Sequence, residues 1–174
     1  MKQEIKLYVY HTAEDDPKKC SAKKLYKFGF VQLHKTLRKT PKKCILLNPF
    51  APKALSKEDL SSAQHNGILA VDCSWKNAET LFDHLSHETI SRAIPFVVAV
   101  NPVNFGKPLK LTTLEAFAAA LYILGFVQQA QQLLTIYKWG PHFLKMNIEP
   151  LEDYRKAQTS KEVITAMNAY LTSE

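Results

Sequence analysis

The chain has 174 residues, 46% of them apolar, and a formal net charge of +7. That length and composition suit one large domain, or two small ones sharing a core, and exclude a chain too polar to fold. The longest apolar region, 114–127, has 14 residues and contains Glu115 and Gly125, whereas a membrane span needs about 20; Met1-Lys2-Gln3-Glu4 leads into no signal-like apolar stretch, so a soluble, cytoplasmic protein without membrane contact is expected.

Ile5 to Tyr10 alternates strand-forming residues and reads as a first strand. A loop from His11 to Lys19 follows, with Asp16-Pro17 as a turn signal. Ser21 can cap a short helix over 22–28. Phe30 to Leu33 and Cys44 to Leu47 read as the second and third strands, the latter stopped by Asn48-Pro49. Ser56 to Asp59 opens a helix with acids in its first turn, which ends at Asn66-Gly67. Ile68 to Asp72 is the fourth strand, and Asn77 then caps a helix through about His84. Ile94 to Val100 reads as a fifth strand. After Pro102 no strand is expected. A helix spans Thr113 to Ile123 and stops at Gly125, a second runs from about Val127 to Trp139 and stops at Gly140-Pro141, a third surrounds Phe143 and continues through Tyr154, and the last runs from near Ser160 to Leu171. The expected fold class is therefore α/β. A parallel β-sheet half over 1–100 is joined by an all-helical half over 101–174, with a cleft where the two meet.

Positive charge is concentrated in one segment. Residues 17–57 hold twelve basic residues and no acid, so the remainder carries +7 − 12 = −5. Such a block suggests a polyanion, most often nucleic acid, although a solvated lysine-rich face has the same composition. Cys20, Cys44 and Cys73 are odd in number and widely spaced, which gives neither a disulfide framework nor zinc spacing; no metal is expected. His84 and His87 lack a partner at metal spacing.

The chemistry points to strand ends. Ile68-Leu69-Ala70-Val71-Asp72-Cys73-Ser74-Trp75 is a buried parallel strand that stops at an acid, with a tryptophan three residues on. Ligands of open α/β sheets sit outside that end. No Walker loop, Gly-x-Gly-x-x-Gly turn or Gly-x-Ser-x-Gly elbow occurs. A nucleotide-like ligand would instead be held by loop backbone groups and by the start of the helix at Thr112 or Thr113, whose free N–H groups suit a carboxylate. Glu115, in that first turn, also compensates the helix dipole.

Asp-Pro-Lys-Lys-Cys-Ser-Ala-Lys-Lys-Leu at 16–25, Val-Asp-Cys-Ser-Trp at 71–75, Pro-Phe-Val-Val-Ala-Val-Asn-Pro-Val-Asn-Phe-Gly-Lys-Pro at 95–108, Leu-Thr-Thr-Leu-Glu-Ala-Phe-Ala-Ala-Ala at 111–120 and Lys-Trp-Gly-Pro-His-Phe-Leu at 138–144 come in one order. This ordered set resembles the ribosomal small-subunit rRNA aminocarboxypropyltransferase family, from about His11 to Tyr154, in a compact archaeal form. The resemblance implies a SPOUT-like fold with a deep trefoil knot. It also implies transfer of the 3-amino-3-carboxypropyl group of S-adenosylmethionine to N3 of a hypermodified pseudouridine in small-subunit rRNA, releasing 5′-methylthioadenosine, by a monomer acting on rRNA or a pre-ribosomal particle.

By position, the resemblance makes Asp72 the general base and Trp75 a wall of the sulfonium pocket. Ser21 and Thr112 or Thr113 become candidates for the substrate carboxylate, and Leu47, Pro49, Val71 and Leu111 frame adenine and ribose. Lys18, Lys19, Lys23 and Lys24 become the phosphate contacts. The family's tyrosine in its Asn-Tyr-Gly segment is Phe105 here, so that hydroxyl is lost. Two alternatives stay open: methyl transfer on the same scaffold, and a non-catalytic ribosome-assembly factor.

Overall fold

The computed structural model describes residues 3–12, 20–72 and 78–172. Five strands, β1 (Leu7–His11), β2 (Gln32–His34), β3 (Ile45–Leu47), β4 (Ile68–Asp72) and β5 (Ile90–Arg92), form one sheet in the order β2-β1-β4-β3-β5. Every pairing is parallel. The helices are α1 (Ser21–Lys27), α2 (Leu60–Asn66), α3 (Ala78–Ser86), α4 (Thr113–Ile123), α5 (Val127–Leu134), α6 (Gly140–Met146), α7 (Ile148–Lys156) and α8 (Ser160–Leu171).

A parallel sheet must be covered on both faces, and the period-two alternation of its strands divides them. Leu7, Val9, Ile45, Leu47, Ile68 and Ala70 enter the main core with α4, whereas Leu46, Leu69 and Val71 meet Ala78, Phe82 and Leu85 of α3 on the other face. Nine of the eleven residues of α4 are buried. A helix apolar all round belongs in a core, and α4 lies among α1, α5, α7 and β4. The main core runs from Ile5 to Val163, so both halves of the chain build it.

The fifth strand differs from the sequence expectation. It is Ile90–Arg92, and the apolar run 94–100 is irregular chain. Pro95 can donate to no ladder. The backbone N–H groups that follow are instead taken by Asn147 Oδ1 at Val98, Lys107 O at Ala99 and Glu115 Oε2 at Val100. The second half is not helical throughout: 101–112 is irregular, and Val98 and Pro108 form an antiparallel bridge. The expected helix 127–139 is shorter, ending at Leu134, and the expected third helix is two, α6 and α7, meeting at Asn147. Gly140 opens α6 instead of stopping its predecessor. A Cβ there would lie 1.9 Å from Leu134 O, so only glycine allows this approach. Cys20, not Ser21, is the N-cap residue of α1. The expected Asn77 cap lies outside the described residues.

A pH-sensitive tie in the helical layer centres on Glu152. Arg155 donates from Nε and Nη2 to Glu152 at 3.2 and 2.7 Å, and the Tyr122 hydroxyl donates to the same carboxylate. The Arg155 hydrogen bonds first, and then Tyr122, pull the Glu152 carboxyl from its ordinary 4.5 to about 2. A depressed folded-state value stabilises the fold above the unfolded value and loses that contribution as pH falls through the folded one. Glu152→Gln is therefore expected to cost below about 1 kcal/mol at pH 7, given its partial exposure. The difference should vanish between about pH 4.5 and 2 in urea melts across that range.

Candidate active site

A cleft of about 270 Å³ opens beyond the C-terminal ends of β3, β4 and β5. Leu47 ends β3 and Asn48 and Pro49 follow it, Ala70 and Val71 lie just before the end of β4, and Ala93 and Ile94 leave β5. Ala78 and Phe82 of α3 form one side, and Leu109, Leu111, Thr112, Thr113 and Ala116 form the other. The walls are mostly apolar with a few backbone and hydroxyl groups, as small-molecule sites are. Six of the residues expected to hold the co-substrate, Leu47, Pro49, Val71, Leu111, Thr112 and Thr113, come together here.

The α4 side of the cleft is fixed by Glu115. Thr112 Oγ1 accepts from the Glu115 N–H at 3.2 Å, and the Glu115 carboxylate accepts from the Thr112 N–H at 3.1 Å, a capping box. The same carboxylate accepts from the Val100 N–H and from Asn101 Nδ2, each at 2.7 Å. Fully buried Glu115 thus clamps loop 100–112 to the start of α4. The Thr112 hydroxyl is committed to this box, whereas Thr113 lines the cleft at the first turn of α4, beside its N–H groups. Leu109 reaches the cleft from a left-handed backbone at φ +59°, held by its N–H to Val97 O at 3.0 Å.

Ser21 is not in the cleft wall. It is buried in the first turn of α1, and its Oγ accepts from the Leu114 N–H at 3.3 Å, joining α1 to α4. Asp72 ends β4 one residue past Val71, and strand alternation sends its side chain to the opposite face. His11 is its direct neighbour in the β1–β4 register. His11 Nδ1 lies 3.3 Å from Asp72 Oδ2, and Cys20 Sγ donates to the same oxygen at 2.9 Å. Burial first, then the hydrogen bond to Asp72, pushes the Cys20 thiol up to about 11, so it is protonated at neutral pH. Trp75, Lys18 and Lys19 lie outside the described residues.

Lys23 and Lys24 lie on α1, one turn beyond Cys20. Lys24 Nζ stands 4.0 Å from the ring centroid of Tyr137, which stacks on Trp139 with centroids 4.9 Å apart. Lys27, Tyr26 and Phe28 continue that surface, with Tyr26 56% and Phe28 55% exposed. Residue spacing had not singled out Leu109, Phe82, Ala93, His11 or Cys20. Only strand register could have paired His11 with Asp72, because the two are 61 residues apart in sequence (72 − 11).

Residues 45–171 match the family described as ribosome biogenesis protein, C-terminal. Residues 5–39 match a second description, a possible Fer4-like domain in RNase L inhibitor. That segment contains one cysteine, Cys20, whereas an iron–sulfur cluster of this kind takes about four cysteine thiolates, so the residues present do not fit such a cluster. The 16S rRNA aminocarboxypropyltransferase of Methanococcoides burtonii is 46% identical, covering 95% of this chain and 94% of its own. That of Methanopyrus kandleri is 44% identical, covering 95% and 98%. The solved structure of the SAM-dependent rRNA:acp-transferase from Vulcanisaeta distributa superposes with a TM-score of 0.83 at 36% identity, covering 96% of each chain. With relatives this similar along nearly its whole length, the chain belongs to the 16S rRNA aminocarboxypropyltransferase family.

Proposed function

We propose that this protein transfers the 3-amino-3-carboxypropyl group of S-adenosylmethionine to N3 of a hypermodified pseudouridine in small-subunit rRNA. The observation that carries this is the cleft at the strand ends, apolar on its α3 side and bounded by the first turn of α4, in a chain 46% identical to a 16S rRNA aminocarboxypropyltransferase.

S-adenosylmethionine has three electrophilic carbons on one sulfonium, and the carbon held in line with the nucleophile reacts. In this scheme the ring nitrogen attacks the chain carbon bonded to sulfur. The carbon–sulfur bond breaks, its electron pair stays on sulfur as neutral 5′-methylthioadenosine, and the N3 proton passes to Asp72. Leu47, Pro49, Val71 and Leu111 frame the adenosine, and Trp75 walls the sulfonium. The co-substrate carboxylate meets the hydroxyl and N–H of Thr113 at the positive end of α4, whose next three N–H groups are taken by Ser21 Oγ, Thr112 Oγ1 and the Thr112 carbonyl; Thr113 is better placed than Ser21 or the committed Thr112 hydroxyl. No step calls on a metal.

The rRNA side is the basic segment, with Lys18, Lys19, Lys23 and Lys24 on phosphates. Lys23→Glu is expected to weaken rRNA binding and to reduce the salt slope by about one or more. Lys24→Glu should add the loss of its contact with Tyr137. An unchanged slope, measured by filter binding over a salt series, would return both lysines to a solvated role. The protein acts as a cytoplasmic monomer on rRNA or a pre-ribosomal particle, without membrane contact; among the described residues no helix is long and apolar enough to cross a membrane. The SPOUT-like path with its trefoil knot, and the division at about residue 100, belong to the same proposal. The path rests on the family resemblance, and the division on the five strands lying within residues 7–92 and α4 to α8 within 113–171.

Incubation with S-adenosylmethionine and small-subunit rRNA that carries the modified pseudouridine but lacks the aminocarboxypropyl group tests the reaction by its small product. Release of 5′-methylthioadenosine is expected. S-adenosylhomocysteine would indicate methyl transfer, and neither product, with rRNA still bound, an assembly factor.

A further inference from the structure

We infer that His11 and Cys20 are positioning residues that hold the Asp72 carboxylate by one oxygen and leave the other for the reaction. Both contacts fall on Oδ2, from Cys20 Sγ at 2.9 Å and His11 Nδ1 at 3.3 Å, and among the described residues no hydrogen bond or ion pair falls on Oδ1. The holders are rigid. His11 is 2% exposed and is fixed opposite Asp72 by the β1–β4 register, and Cys20 is 7% exposed at the N-cap of α1. The Thr12 N–H also donates to the Asp72 backbone carbonyl at 3.1 Å, so main chain and side chain are both pinned from β1. A carboxylate at a strand end could otherwise rotate about two side-chain torsions, and a misplaced base loses rate steeply.

The same three side chains, within 4.8 Å of one another, form a donor set that zinc accepts. The spacing decides between the two. A tetrahedral zinc with Zn–S about 2.3 Å and Zn–O about 2.1 Å holds sulfur and oxygen about 3.6 Å apart. Cys20 Sγ and Asp72 Oδ2 are 2.9 Å apart, too close for two ligands of one ion and suited to a shared proton. A thiol that keeps its proton at neutral pH supplies that proton.

This inference builds on the proposed transfer, so one test is independent of activity. The S–H stretching band of Cys20, identified by its loss in Cys20→Ser, is expected at lowered frequency in the native protein. It should return to the frequency of an unbonded thiol in Asp72→Ala. A Cys20 band that Asp72→Ala leaves in place would overturn the inference, as would stoichiometric zinc that leaves with Cys20→Ala. In transfer assays, Cys20→Ala and His11→Leu are expected to lower kcat by about 10-fold to 100-fold. KM for S-adenosylmethionine should stay within about twofold of native in both. Cys20→Ser and His11→Asn, which keep a donor near Oδ2, should recover most of the rate. Serine and alanine at position 20 that are equally slow would also overturn it. If the native protein transfers nothing, the proposed function fails, and the infrared band alone decides whether Asp72 is held by a proton.

Discussion

Replacing Asp72 by alanine is expected to lower aminocarboxypropyl transfer by about 100-fold to 10,000-fold, the range for losing a positioned base. Binding of S-adenosylmethionine should change by less than about threefold, because Asp72 is not among the side chains that line the cleft. In the proposed reaction the ring N3 proton of a uracil-type base leaves as the new bond forms, and Asp72 at the end of β4 is its proposed acceptor. Asp72→Asn separates proton removal from placement: it keeps the acceptor for Cys20 and His11 but cannot take a proton at neutral pH. Single-turnover transfer with isothermal titration of the co-substrate measures both quantities. Full activity of either variant would remove Asp72 from the mechanism.

The second large effect falls on a residue that touches no reacting atom. Glu115→Ala is expected to destabilise the fold by about 3 kcal/mol or more, since it strands the Val100 N–H and one Asn101 proton in the core. It should also weaken S-adenosylmethionine binding by about tenfold, because Leu111, Thr112 and Thr113 lose the clamp that makes them one wall. Glu115→Gln should lie between, since it keeps one accepting oxygen but turns an amide N–H₂ toward a donor. Urea melts and co-substrate titration read the two effects separately. An alanine variant with native stability would show that the clamp is not what holds the loop.

The parts of the fold legible in the sequence were those with a local cause. The apolar run 68–72 stops at an acid and forms β4 with those bounds, and the small-residue helix after Thr112 begins where its capping box requires. The cleft wall at Leu47, Pro49, Val71 and Leu111–Thr113 was legible because parallel strands open at their C-terminal ends. What escaped has long-range causes. The apolar run 94–100 satisfies its backbone through Asn147 and Glu115 instead of a neighbouring strand, and periodicity carries no trace of those partners. Gly140 read as a helix stop because its contact with Leu134 exists only after the chain reverses. The cluster of His11, Cys20 and Asp72 depends on register between two strands with most of the sheet's sequence between them.

The most direct test of the central claim labels S-adenosylmethionine in two places. Incubated with small-subunit rRNA that carries the modified pseudouridine but lacks the aminocarboxypropyl group, as from cells without this activity, the protein is expected to place label from the carboxyl carbon on the RNA and none from the methyl. Methyl label on the RNA without carboxyl label would contradict it.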